Sequence, residues 1–258
     1  MKVNRTTQRT VEILELIAST DRELTLSDIV KELEMPKTSA FDILETLVHM
    51  NMLYIRENGI KTYHIGVKSY SIGSNYSKTS LLLHASEPII KDLAKATDLT
   101  ILIAKETSGE IVFTLKQEPE KKIIATPNIG DRLLIHTTSI GKSILAFSHK
   151  QDRLMEKIDF SAQTNNSITS KIGLVQAIEK IKEQGYAISN RENEEHTFSI
   201  GAPIFDHRGY VTAAIGTLGL YQESYDPTHD IARIKQAAAE ISRLQGFRAN
   251  PHRLEGRG

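Results

Sequence analysis

The spacing of apolar residues changes along the chain, and each change predicts an element. Val11, Leu14, Ile17 and Ala18 recur at helical spacing, which predicts an amphipathic helix over residues 6–19. "TLSDIVKEL" opens with Thr25 and Asp28 in capping-box positions, and Leu26, Ile29, Val30 and Leu33 supply a buried face. After "EMP", Pro36 pre-sets φ for a third helix, in which Phe41, Leu44 and Val48 share one face with Ile43 and Leu47 nearby. Two short β-rich runs then flank Asn58-Gly59, a strong hairpin signal because both residues tolerate positive φ.

From residue 67 to about 78 the chain is Ser- and Tyr-rich and reads as a connecting helix or a linker. Helical spacing returns at 80–97, 138–148, 170–184 and 228–245, with Gly185 as a left-handed cap. Strand-like runs fall at 99–105, 110–117, 122–128, 186–189, 199–205 and 210–220, the last two joined by a turn at His207-Arg208-Gly209. The order predicts an α+β protein: three helices and a hairpin (1–66), a linker helix (67–79), a helix-covered sheet (80–250) and a disordered tail (251–258). The closing "LEGRG" reads as an expression scar.

Three helices with a tight break before the third, then a hairpin, form the winged helix-turn-helix pattern. In that motif the N-terminal residues of the second motif helix meet base edges in the major groove. Lys37, Thr38, Ser39 and Asp42 occupy that position. For Thr38 and Ser39 the plainer alternative is helix capping. Arg5 and Arg9 in the N-terminal arm, Thr25, and Arg56 and Lys61 on the wing complete the expected DNA-facing set.

Charge complicates this reading. The whole chain balances 32 Lys and Arg against 32 Asp and Glu, and residues 1–66 carry eight cations against ten anions. Phosphate neutralisation usually dominates DNA affinity. The cations must therefore lie on one face, and the chain must act as a dimer.

At 258 residues and 40% apolar, the chain is long enough for one large domain or two ordinary ones with packed cores. It has no cysteine, which excludes disulfides, thiolate catalysis and cysteine-ligated zinc. The N-terminus lacks a signal core and no apolar run approaches about 18 residues, so a cytoplasmic protein away from membranes is expected.

The stretches "RTVEILELI", "LTLSDIVKELEMPKTSAFDILETL", "RLLIHTTSIGKSILAF" and "IKEQGYAISNRENEEHTFSIGAPIFDHRGYVTAAIGTLG" resemble the IclR-type bacterial transcriptional regulators, in order and over nearly the whole chain. The resemblance implies a winged helix-turn-helix joined by a linker helix to a GAF-like effector-binding domain. It implies a homodimer or dimer of dimers on double-stranded operator DNA, more often repressing than activating, with no cofactor and no catalytic residues. It places Ala125, Ser139, Ile140, Gly141, Ser189, Ser199, Gly216 and Leu218 around a small organic acid, with the carboxylate at the start of the helix bearing Ser139. Relatives that bind small oxo-acids carry polar residues at the positions of Gly216 and Leu218, and an acid at that of Ser189. A roomier, more apolar floor is therefore expected, open to sugar acids and aromatic acids more than to the smallest oxo-acids. Relatives also commonly carry arginine where this chain has Asp42. Asp42 is then a base-reading acceptor for cytosine, a partner of Arg56 or Lys37, or a solvated residue.

Other chemistry finds less support. "IGKS" lacks the earlier glycine of a phosphate-binding loop, because that position is His136. His136 reads as a hydrogen-bonded structural residue rather than a ligand, "NRENEEH" as a solvated loop rather than a metal site, and Asp206-His207 as turn chemistry. Reductases of methionine sulfoxide on the GAF scaffold use cysteine, which is absent. The remaining rival is a small-molecule sensor acting through protein–protein contacts.

Overall fold

The computed structural model describes residues 3–20, 22–120 and 127–248. They fall into two compact units that meet in sequence after Ser80.

The first unit runs α1 (Arg5–Ser19), α2 (Leu26–Glu32), α3 (Lys37–His49), β1 (Leu53–Glu57), β2 (Lys61–Ile65) and α4 (Val67–Thr79). The side-chain amide oxygen of Asn4 accepts from Thr7 N to cap α1. Thr25 and Asp28 form the full reciprocal capping box at the head of α2. Ile13, Ile17, Leu24, Ile29, Ala40, Ile43, Leu44, Leu47, Leu53 and Tyr63 make one core.

Three expectations shift here. In α1 the buried residues are Ile13 and Ile17, while Val11 is exposed. In α3 they are Ala40, Ile43, Leu44 and Leu47, and Phe41 is 48% exposed. Small Ala40 lets the backbone of α3 approach the core, so the helix is rotated away from the face that Phe41 would have chosen. The hairpin loop has three residues, since Glu57 pairs with Lys61, and only Gly59 takes positive φ (+83°). The 67–79 segment is a helix.

The second unit runs α5 (Leu81–Thr97), β3 (Thr100–Thr107), β4 (Glu110–Gln117), β5 (Arg132–Leu134), α6 (Ser139–Phe147), α7 (Gln151–Met155), α8 (Lys171–Gln184), β6 (Ala187–Asn190), β7 (Thr197–Phe205), β8 (Val211–Leu220) and α9 (Thr228–Leu244). Its strands among the described residues form an antiparallel sheet ordered β5-β4-β3-β8-β7-β6. Side chains alternate between faces along each strand. Leu102, Ala104 and Ala214 join the core containing α6 and α8, while Ile101, Ile103, Ile200, Ala213 and Ile215 join the one containing α5 and α9. Both faces being covered explains why residues 101–104 of β3 read as an unbroken apolar run. Gly185 caps α8 at φ +80° as expected. The strand expected at 122–128 lies largely outside the described residues, and Pro127 and Asn128 belong to no strand. β5 and α7 were not anticipated.

Candidate functional sites

The first site is the head of α3. Pro36 occupies the N-cap and no side chain caps the helix, so neither Thr38 nor Ser39 serves as a cap. The amides of Lys37, Thr38 and Ser39 are first-turn groups without intrahelical acceptors, and Lys37 and Thr38 are exposed. Ser39 Oγ accepts from Arg9 Nη1 at 3.1 Å, which places Arg9 beside the same tip. Arg5 lies exposed at the start of α1. The outward stripe of α3 contains Thr38, Phe41, Asp42, Glu45 and His49, all exposed. Phe41 was expected in the core and is instead a candidate contact.

The other expected DNA-facing residues have internal partners. The Thr25 hydroxyl donates to Asp28 Oδ2 at 2.7 Å within its capping box. On one face of the wing, Tyr54 stacks on His64 at 5.1 Å, and Arg56 Nη1 donates to Glu23 Oε1 at 2.7 Å. Lys61 pairs with Glu57 at 3.5 Å. Arg56 is therefore held by Glu23, not by Asp42. The Asp42 main-chain carbonyl accepts from Thr46 Oγ1, and its carboxylate faces outward from an exposed residue.

The second site is the head of α6. Thr138 is the N-cap, and its Oγ1 accepts from Gly141 N at 3.0 Å. The Ser139 and Ile140 amides remain as first-turn donors, carrying the helix's partial positive charge. Ser199 on β7 donates to Ser139 Oγ at 2.8 Å, and Ser189 on β6 donates to the Thr137 carbonyl at 2.8 Å. Ser139, Ile140, Gly141, Ser189, Ser199 and Gly216 thus gather around one helix head. Leu218 on β8 is half-buried against the same core. Ala125 lies outside the described residues.

Glycines bring α6 hard against the sheet. A Cβ on Gly201 would sit 2.6 Å from the Ser139 carbonyl carbon, and one on Gly141 would sit 2.2 Å from the Ile135 carbonyl oxygen. A Cβ on Gly216 would meet Ile140 Cγ1 at 2.7 Å. The extra room expected from Gly216 is therefore filled by the Ile140 side chain.

Residues that the sequence reading passed over surround this head. Lys142, one turn into α6, is 3% exposed and pairs at 2.5 Å with both carboxylate oxygens of Glu192. Burial pulls the Lys142 ammonium down and the Glu192 carboxyl up from their ordinary values, and their mutual attraction opposes both shifts. "NRENEEH" is accordingly not a simple solvated loop. Thr137 Oγ1 donates to Asn193 Oδ1, Thr164 Oγ1 to the Arg191 carbonyl and Ser167 Oγ to the Glu192 carbonyl, so residues 190–193 form a strap pinned from two sides. Arg191 holds it in a left-handed turn at φ +59°. Elsewhere, the Asp206 carboxylate accepts from the Arg208 and Tyr210 amides, which is turn chemistry. Among the described residues, no cluster of three or more His, Asp and Glu could hold a metal, and no helix is long and apolar enough to cross a membrane.

Comparison with known proteins matches both units. Residues 6–55 match the IclR helix-turn-helix domain, and residues 75–243 match the bacterial transcriptional regulator IclR C-terminal domain. The chain is 27% identical over 254 residues to the HTH-type transcriptional regulator XynR of Escherichia coli, covering 96% of this chain and 100% of that one. It is 24% identical over 251 residues to the HTH-type transcriptional repressor AllR of the same organism, covering 95% and 91%. An IclR homologue of Microbacterium hydrocarbonoxydans, solved with 4-hydroxybenzoate, shares the fold at a TM-score of 0.76 and 20% identity, over 93% of this chain and 98% of that one. A helix-turn-helix unit that binds DNA and a C-terminal effector-binding unit, matched in order along one chain, make this protein a member of the IclR family of bacterial transcriptional regulators.

Proposed function

We propose that the protein is a dimeric repressor whose α3 reads an operator and whose affinity for it falls when a small organic acid binds at the head of α6. The uncapped, exposed head of α3 carries this reading. It offers main-chain donors, the Lys37 ammonium and the Thr38 hydroxyl to a groove, with Arg9 beside them. Phe41 and Asp42, next along the stripe, suit a thymine methyl and a cytosine amino group. In the second unit, the Ser139 and Ile140 amides suit a carboxylate. The carboxylate ligand of the Microbacterium homologue supports that ligand class, and the name of AllR supports repression.

Two copies of the reading unit offset the modest charge of one, since each adds its own phosphate contacts. The test is a gel shift on the DNA upstream of the protein's own gene, repeated with sugar acids, aromatic acids and short oxo-acids. A retarded dimeric complex that one acid class weakens by about five- to 150-fold is the expected result. No complex on that DNA at low salt, or a complex indifferent to every acid, would refute it.

A further inference from the structure

The segment before α2 runs beside the wing. Leu24 bridges Tyr63 of β2 in antiparallel register, and its carbonyl accepts from Tyr63 N at 2.9 Å. Leu24 and Tyr63 both enter the core of the first unit, so their neighbours Glu23 and His64 turn to the outer face. β1 adds Tyr54 and Arg56 to that face, paired across the hairpin with His64 and Thr62.

One oxygen, Glu23 Oε1, sits between two basic groups there. Arg56 Nη1 donates to it at 2.7 Å, and His64 Nε2 stands 3.9 Å away. Beside them, Thr62 Oγ1 lies 3.0 Å from His64 Nε2, and Arg56 Nη2 donates to Tyr54 OH at 3.5 Å. Among the described residues, the titratable and charged groups around His64 are Glu23 from the segment before α2 and Tyr54 and Arg56 from β1, with the Lys61–Glu57 pair nearer the tip. α1 and α2 reach β2 through the core around Tyr63.

Basic groups converging on one oxygen are how a phosphate is held, and here a carboxylate fills that position from within the chain. The side chains of Arg56 and Glu23 are 46% and 47% exposed, and an ion pair that open to water contributes little. A DNA strand, by contrast, presents phosphate after phosphate in its own negative field.

We propose that Arg56 and His64 form a phosphate seat on the outer face of the wing, which Glu23 occupies within the chain and yields to the DNA backbone. This rests on the DNA-binding reading given above. The seat reconciles DNA binding with eight cations against ten anions in residues 1–66, because an anion leaves its cation as the phosphate arrives. It also carries a proton linkage. Histidine ordinarily changes charge between about pH 5 and 8. A phosphate beside Nε2 favours the imidazolium, so binding draws a proton onto His64 and affinity rises as pH falls.

The experiment measures binding of the full-length protein to the DNA upstream of its own gene and to a scrambled duplex, in salt series between about pH 6 and 8. Glu23→Gln should bind both duplexes about three- to tenfold more tightly, with a salt dependence steeper by up to about one phosphate contact per chain. The gain should vanish when Arg56→Gln is added, because the seat has then lost its main donor. Affinity of the unaltered protein should rise at least about threefold for each pH step of one, and His64→Gln should remove most of that rise.

Parental affinity and salt dependence in Glu23→Gln would overturn this proposal. An equal gain from Glu23→Gln with and without Arg56 would mean that Glu23 merely repels DNA, which also overturns it. So does a pH dependence unchanged in His64→Gln. Each of these leaves the DNA reading standing. Binding to neither duplex at low salt would end both together.

Discussion

Arg9 Nη1 donates to Ser39 Oγ across 3.1 Å, joining α1 to the head of α3 over a gap of 30 residues in sequence. The bond uses a lone pair of Ser39 and leaves its O–H free to donate. Replacing Thr38 and Ser39 together with alanine should remove up to two base-edge contacts and unfasten Arg9. Each good contact carries roughly 1–3 kcal/mol of discrimination. Footprinting should show the operator protected only at much higher protein concentration. A footprint unchanged from the parent protein would remove α3 from its reading role.

Asp42 stands on the exposed stripe of α3, with Glu45 one turn further on. A carboxylate facing DNA costs affinity on every sequence and is tolerable where it selects one. Asp42→Arg should bind scrambled duplex more tightly, with a salt dependence steeper by up to about one phosphate contact. Its preference for the operator should fall. Binding measured in a salt series on operator and scrambled duplexes tests both, and unchanged selectivity would make Asp42 a solvated residue.

The Lys142–Glu192 pair ties the strap to α6 from the interior. Lys142→Met leaves a mostly buried carboxylate without its cation, a defect that costs about 3–5 kcal/mol in comparable pairs. The double variant Lys142→Met, Glu192→Met should recover most of the loss, because the charge is removed with its partner. Urea unfolding of the second unit gives the comparison. A double variant no more stable than the single one would show that the pair's hydrogen-bonding to the strap matters more than its charge.

Asp206 gives a pH dependence of definite sign. Burial pushes its carboxyl up, but the Arg208 side chain and the Tyr210 and Arg208 amides together outweigh this and hold it below the usual aspartate value of 3.8. A lowered folded-state value stabilises the fold above that pH and is lost as pH falls through the folded value. Asp206→Asn should therefore be less stable than the parent at neutral pH, with the gap closing below about pH 3.8. Thermal melts across pH 2.5–7, as an assay range on the order of the carboxylate window, read this directly. A gap of constant size at every pH would mean that the carboxylate's charge plays no part.

Features set by neighbours in sequence were legible. The Thr25–Asp28 capping box and the Gly185 cap follow from local geometry alone. The face of α3 was misplaced because Phe41 and Ala40 point in different directions, and hydrophobicity alone ranks the larger first. The core takes α3 along Ala40, Ile43, Leu44 and Leu47, which leaves Phe41 on the outer face. Ser139 is placed by the resemblance, and the helical spacing over 138–148 agrees with its position at a helix head. Lys142 was missed because its partner lies 50 residues away, in a stretch whose acidity reads as solvated. A charged pair carries no periodicity, and the one local signal was a lysine at a position flanked by Ile140, Ile144 and Leu145.

Gly141 and Gly201 give α6 a seat with no slack, backbone against backbone. A wall that cannot yield cannot signal by moving. The 190–193 strap, by contrast, is fastened through side chains, those of Thr137, Lys142, Thr164 and Ser167. The family's variation in ligand should then concentrate in that strap and in the residues it grips. The seat itself should resist enlargement: Gly201→Ala would displace the whole helix head, donors included, instead of trimming one edge of the site.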